Sequence, residues 1–280
     1  MSGELNITDQ LCFLTARLEC TDKEEGVSVG TGFFVEFTDN QNRIIPVLIT
    51  NRHVVQGSTT GVFVLTDSNE DGTPRIGKYT KLILDSFESR WIPHPDPALD
   101  LCAIPLAPLL NMVRKPFFYR ALNPGLIATS EDMRELSVLE EVVFVGYPIG
   151  LWDQTNNMPV VRRGVLATLP SLDYEGRKEF LIDAACFPGS SGSPVLLCSV
   201  GPYVTKGGAV MWEGRPRVKL LGVLWGGPEY TVDGKLEVKP IPTRSSPVLS
   251  IGIPIHLGNV IKAELILGFA AILERIAESD

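Results

Sequence analysis

The sequence predicts an all-β fold, two six-stranded antiparallel β-barrels followed by a C-terminal α-helix, and three observations carry that prediction. With 26 glycines and 21 prolines in 280 residues, the chain favours short strands and frequent turns over a helical bundle. Short apolar runs bounded by turn residues fall into two sets of six, as two antiparallel barrels require. From Asn259 onward the pattern changes to apolar positions three and four residues apart, the period of an amphipathic helix.

The first set of strands is Leu11 to Cys20, Thr31 to Phe37, Ile44 to Asn51, Thr60 to Thr66, Lys81 to Asp85 and Leu99 to Leu106. The second is Val142 to Tyr147, Val161 to Leu169, Glu179 to Ala185, Ser193 to Cys198, Leu220 to Trp225 and Val248 to Ile255. Between them, Ala107 to Glu140 has no sustained strand pattern. The organisation read from this is a first barrel over 1–115, a connection over 116–140, a second barrel over 141–258 and a helix over 259–280. That helix carries Val260, Ile261, Leu265, Ile266, Phe269, Ile272, Leu273 and Ile276 on one stripe, and is expected to pack on the second barrel. It lacks the Lys/Arg-rich face of a membrane-surface helix.

Composition narrows the function classes. Lys+Arg 25 against Asp+Glu 33 gives a net charge of -8, which attracts neither nucleic acid nor an anionic membrane. The longest clean apolar stretch, Leu265 to Leu273, is far short of the roughly 18 residues of a transmembrane helix. Glu4, Asp9, Arg17 and Glu19 interrupt the first twenty residues, unlike a secretory leader. The five cysteines (Cys12, Cys20, Cys102, Cys186 and Cys198) are odd in number and form no C-x-x-C pair. His53, His94 and His256 lie in unrelated segments. Neither a disulfide framework nor a zinc site follows, and the expectation is a cytoplasmic protein without cofactor or metal. Asp67-x-Asn69-x-Asp71-Gly72 opens like a calcium loop, but the place of the bidentate acid holds Lys78, so a solvated hairpin is expected.

Three segments carry the chemistry. In Phe187-Pro188-Gly189-Ser190-Ser191-Gly192-Ser193-Pro194-Val195, the glycines around Ser191 permit a tight turn that backbone can approach closely. If the amides of Gly189 and Ser191 converge, they form an oxyanion hole beside the Ser191 hydroxyl. Val47 to Val55 sets His53 just beyond an apolar strand, where it can project from a barrel rim. Asp100 heads the apolar run Leu101-Cys102-Ala103-Ile104, where a carboxylate needs a hydrogen-bonded partner. A serine nucleophile, a histidine base and a carboxylate that orients the base are complementary roles.

The order His53, Asp100, Ser191 and the motifs around them resemble the trypsin/chymotrypsin-like serine peptidases. Thr31-Gly32-Phe33-Phe34-Val35 resembles that family's G-[ST]-G-F-x-V strand, and LITNRHVV its histidine motif. Asp100-Leu101-Cys102-Ala103 resembles its aspartate motif. Asp183-Ala184-Ala185 with PGSSGSPV resembles the serine motif of HtrA-type and stand-alone bacterial trypsin-like peptidases. Leu221 to Gly226 is similar to the strand that pairs with the substrate backbone, and Ile253-Pro254-Ile255 to the group's last strand. No PDZ module follows, and Ser190 stands where members activated by a freed N-terminus carry Asp.

The resemblance implies a chymotrypsin-like fold and peptide hydrolysis through an acyl-enzyme, without a cofactor. The triad would be His53, Asp100 and Ser191, with Gly189 and Ser191 as oxyanion donors. It places Ala185 and Cys186, six and five residues before the nucleophile, in the specificity pocket, with Leu224, Trp225 and Gly226 lining the substrate path. A small, uncharged floor predicts cleavage after small or medium apolar residues, while Glu229 and Asp233 are acids that could reverse that choice. Gly226 and Gly227 are expected to leave the entrance open. The expected partners are a protein or peptide substrate and a regulatory protein, with no nucleic acid and no membrane. The rival reading is a catalytically silent trypsin-like module that binds a peptide or protein partner.

Overall fold

The computed structural model describes residues 5–113, 115–212, 214, 216–230, 236–240 and 253–279. In the first half, β1 (Thr15–Asp22), β2 (Val27–Thr38), β3 (Ile44–Thr50), β4 (Ser58–Ser68), β5 (Pro74–Asp85), β6 (Ile92–Pro93) and β7 (Cys102–Pro105) pair in the order β5-β4-β1-β2-β3-β7-β6. A short β8 (Phe117–Phe118) adds to β4. Leu18, Phe34, Leu48, Phe63, Leu84 and Ile104 come from β1, β2, β3, β4, β5 and β7 and share one buried cluster. The sheet therefore rolls around its own interior. Among the described residues its two end strands share no ladder.

The second half closes. Its strands are β9 (Glu141–Gly146), β10 (Val160–Leu166), β11 (Glu179–Asp183), β12 (Pro194–Ser199), the β13/β14 hairpin (Tyr203–Val204 and Val210–Met211), β15 (Arg217–Tyr230), β16 (Leu236–Pro240), β17 (Ile253–Pro254) and β18 (Leu257–Lys262). The ladder runs β12-β9-β10-β11-β18-β15, and β15 pairs back onto β12, which makes a closed six-stranded barrel. Phe144, Leu166, Phe180, Ile182, Val195, Leu221, Leu224 and Val260 fill it.

Strand alternation builds the seam between the halves. On β2, Phe34 faces the first interior, while Phe33, Val35 and Phe37 turn outward into a second cluster. There they meet Val145, Leu196, Leu220, Val223 and Ile261 of the closed barrel. The chain end docks in the same place, because Ile266, Phe269 and Leu273 belong to this cluster. Asn40 N donates to Glu274 Oε1 (3.1 Å) and Arg43 Nη2 to the Ala277 carbonyl (3.2 Å). The terminal helix thus packs on the inter-barrel seam and a first-half hairpin, and not on the second barrel alone.

Among the boundaries that differ from the sequence reading, two have a clear physical cause. Leu257–Lys262 is a strand, and helical structure begins only at Ala263, first as a 3₁₀ segment to Phe269 and then as the α-helix Ala270–Ser279. A strand buried on both faces of a closed barrel has no alternation, so Val260 and Ile261 merged with the helical stripe that follows them. At the other end, Ile7–Gln10 is a helical turn because the Asn6 side chain caps it, accepting from Asp9 N at 2.8 Å; β1 therefore starts at Thr15. Residues 241–252, which include most of the expected strand Val248 to Ile255, lie outside the described residues, as does Asp233. No helix among the described residues is long and apolar enough to cross a membrane.

Candidate active site

The β3–β7 register builds one side of the site. Thr50 pairs with Cys102, so residues just after β3 lie opposite those just before β7. The helical turn Arg52–Val55 continues β3 and presents His53 to Asp100. Asp100 Oδ1 accepts from the His53 backbone N–H (2.9 Å), and Oδ2 pairs with His53 Nδ1. The Asp100 carbonyl accepts from Asn51 Nδ2 (2.9 Å), a side chain that is fully buried. Both ring and carboxylate are therefore held through backbone as well as side chain. A carboxylate only accepts, so Nδ1 carries the proton and Nε2 is the basic nitrogen. That Nε2 is buried and has no hydrogen-bond partner among the described residues.

The serine side is made of backbone. Gly189 (φ +86°) and Gly192 (φ +83°) both occupy the left-handed region. A Cβ at Gly189 would run into the Tyr147 carbonyl, and one at Gly192 into the Thr31 carbonyl, so close approach also demands glycine. The Pro188 carbonyl accepts from Ile149 N, and the Ser190 carbonyl from Ser193 N (3.1 Å). In a trans peptide the N–H points opposite its carbonyl, so these two bonds fix the directions of the Gly189 and Ser191 amides.

Thr31, on β2, joins the two sides. Its N–H donates to the Ser191 carbonyl (2.9 Å) and its hydroxyl to the Gly189 carbonyl (2.9 Å). That hydroxyl also accepts from Tyr147 N (3.2 Å), while the Thr31 carbonyl takes the Thr50 hydroxyl (2.7 Å). Sequence reasoning placed Thr31 in a strand motif but gave it no role. The motif was the available signal; four contacts spread between residues 50 and 191 were not legible.

The wall beyond Ser191 comes from β15. Leu224 pairs with Val260 and Gly226 with Asn259, leaving Trp225 as the extra residue of a bulge. The bulge turns the Trp225 carbonyl toward the site, where Ser191 Oγ lies 3.5 Å away. The Leu224 side chain is fully buried in the closed barrel, and its N–H and C=O bind Ser193 and Gly192. Leu224 thus supports the turn from inside and does not line a substrate path. Cys186 is also buried, its sulfur packed beside Gly258, and burial pushes its thiol up to about 12. Ala185 is half-buried.

Gly226 and Gly227, expected to leave an open entrance, pair with Pro240 and Lys239 of β16. Gly226 also pairs with β18, so β16 must lie on the opposite edge, the one that β12 occupies farther back. The Glu229 backbone belongs to this ladder, and its side chain is outside the described residues.

The other candidates have structural surroundings. His94 is buried, with Nε2 2.9 Å from the Leu265 carbonyl and its ring edge-on to Phe269, and so anchors the chain end. His256 is exposed at φ +60° and contacts the Phe187 ring. In the calcium-like loop, Asp67 binds Lys115 Nζ (2.9 Å) and the Thr80 hydroxyl (2.8 Å), while Asp71 caps Thr73. Among the described residues no three His, Cys, Asp or Glu side chains gather as a metal site.

Comparisons with known proteins bear on the fold and the family. The HtrA-type protease AlgW, in two structures with a tripeptide, superposes with TM-scores of 0.51 and 0.50 at 16% and 17% identity. The matches cover 97% and 96% of this chain but 64% and 63% of that protein, so they speak for the fold alone. Gamma-glutamyl phosphate reductase of Desulfitobacterium hafniense is 34% identical over 82 residues, which span 28% of this chain and 20% of that enzyme. A stretch that short assigns no family. The Trypsin-like peptidase domain matches residues 30–201, more than half of the sequence, and the chain belongs to the trypsin-like peptidase family.

Proposed function

We propose that the chain is a serine endopeptidase working through an acyl-enzyme. The observation that carries the reading is the double hydrogen bond from His53 to Asp100, which leaves Nε2 without a partner among the described residues and available as the base. In this scheme Ser191 Oγ rotates from its place near the Trp225 carbonyl toward Nε2. As it attacks the substrate carbonyl, its proton passes to His53, and Asp100 stabilises the imidazolium. The carbonyl oxygen takes the negative charge and is held by the Gly189 and Ser191 amides. When the tetrahedral adduct collapses, the C–N bond breaks and His53 protonates the departing amine. Water, deprotonated by the same imidazole, then hydrolyses the ester and restores Ser191.

Ala185 is the residue proposed to meet the side chain before the scissile bond, with Cys186 packed behind it. Neither offers a charge, so the preference is for small or medium apolar residues, each fitting methylene contributing about 1–3 kcal/mol.

Cleavage-site mapping on a peptide library tests both statements. Wild-type protein should cut after apolar residues, and Ser191→Ala should lose about 10⁶-fold in turnover while remaining folded. Substantial turnover by that variant would overturn the nucleophile. A dominant Lys or Arg before the cut would overturn the pocket assignment and leave the nucleophile standing.

A further inference from the structure

A cavity of about 630 Å³ contains none of the candidate active-site residues. Four segments distant in sequence wall it: the N-terminal helical turns (Ile7, Leu11, Leu14), the inter-barrel connection (Arg120, Leu122, Leu126), the β13/β14 hairpin (Tyr203) and the start of β15 (Arg217, Val218, Lys219). It therefore opens where the two halves meet, a common place for ligand sites, and its size falls within the range of small-molecule pockets.

Its interior is apolar and its charged groups are basic with one exception. Leu11, Leu14, Leu122, Leu126 and Val218 supply hydrocarbon surface; Arg120, Arg217, Lys219 and Asp132 carry charge. Lys219 Nζ is held 3.1 Å from Asp132 Oδ2, and Arg217 lies 3.8 Å from Glu140 Oε1 while stacking on the Tyr203 ring. Arg120 differs. It is exposed, its guanidinium lies over the Phe118 ring at 4.6 Å, and it makes no ion pair among the described residues. One unmatched guanidinium beside an apolar chamber, on a protein whose net charge is -8, suits a single negative charge attached to a hydrocarbon body. The planar fork of Arg matches a carboxylate with two parallel hydrogen bonds. A dianion such as a phosphate monoester would leave charge uncompensated beside Asp132.

We propose that this cavity binds a small amphipathic carboxylate, with the acid group on Arg120 and the hydrocarbon chain against Leu11, Leu14, Leu122 and Val218. The site is remote from the candidate active site: Lys219 and Trp225 lie on the same strand, six residues apart, or roughly 20 Å at the rise of an extended chain. The proposal is independent of peptidase activity.

The test is calorimetric titration of the full chain with dodecanoate below its micelle concentration, with dodecanol and acetate as controls. Dodecanoate should bind saturably at one site per chain, dodecanol at least tenfold more weakly, and acetate not measurably. Arg120→Glu should weaken dodecanoate at least tenfold and leave dodecanol unchanged, and Val218→Trp, which fills the chamber, should abolish binding of both. Because Arg120 is exposed, its variant is expected to fold, and it decides the matter alone if the Val218 variant does not. Absence of saturable dodecanoate binding, equal affinity for dodecanol, or indifference to Arg120→Glu would each overturn the proposal.

Discussion

The two halves of the molecule hold their shares of the candidate site by different means. The first contributes side chains, His53 and Asp100, at the ends of two paired strands whose register sets their meeting. The second contributes mostly backbone: the turn around Ser191, whose carbonyls are tied down, and the Trp225 carbonyl turned inward by a bulge. The sheets differ in the same sense. The β12–β15 pairing closes six strands into a barrel, and the glycine-dependent turn leads into β12 at that closure. The first sheet rolls around its interior with no ladder between its end strands among the described residues, and the ends of its paired strands β3 and β7 carry His53 and Asp100. Side-chain chemistry should therefore respond to changes in chemical identity, and backbone chemistry to changes in shape.

Asp100→Asn is expected to have the largest effect among shape-conserving changes. It keeps the volume but can stabilise neither the His53 tautomer nor the imidazolium, so kcat should fall by about 10⁴ with KM little altered. Steady-state kinetics on a peptide ester and amide would show this; a change below tenfold would detach Asp100 from the reaction. Gly189→Ala tests the other half. Its Cβ would press on the Tyr147 carbonyl and oppose φ +86°, displacing an oxyanion donor at a cost of about 10²–10³ in kcat. A variant as active as wild type would show that this amide is not used.

Thr31→Val probes the link between the halves. The hydroxyl lost is the one that binds Gly189 O and Tyr147 N. Each buried group left without its partner should lower stability by about 1–3 kcal/mol, and kcat should drop by about tenfold, less than for either residue above. Denaturant unfolding and kinetics on the same sample separate the two effects. A loss of stability with full activity would make Thr31 a purely structural joint.

Much of this was legible in the sequence, for reasons that follow the same division. Strands that face both core and seam, such as Phe33 to Phe37, show as short apolar runs set off by turn residues, without a period of two. His53 and Asp100 stood out because each is a polar group set against an apolar run, and the glycines at 189 and 192 because a chain needs them only for unusual backbone. What escaped was long-range or buried all round. β18 was read as helix because a strand packed on both faces has no polar face to mark its period. The four contacts of Thr31, the Tyr147–Gly150 turn that receives the Pro188 carbonyl, and the Arg120 cavity are each assembled from segments far apart in sequence. Local pattern carries no trace of such meetings. Leu224 lies in the expected strand, but its side chain is buried inside the closed barrel, a long-range packing that the local pattern does not show.

The central claim is that an activated Ser191 lies between a base from one half and an oxyanion turn from the other. Covalent labelling with a fluorophosphonate, followed by peptide mapping, measures this most directly, since the reagent needs an activated serine but no knowledge of the natural substrate. The account predicts one adduct per chain, located on Ser191, lost in Ser191→Ala and strongly slowed in Asp100→Asn. A folded wild-type chain that remains unlabelled, or an adduct on another residue, would contradict it.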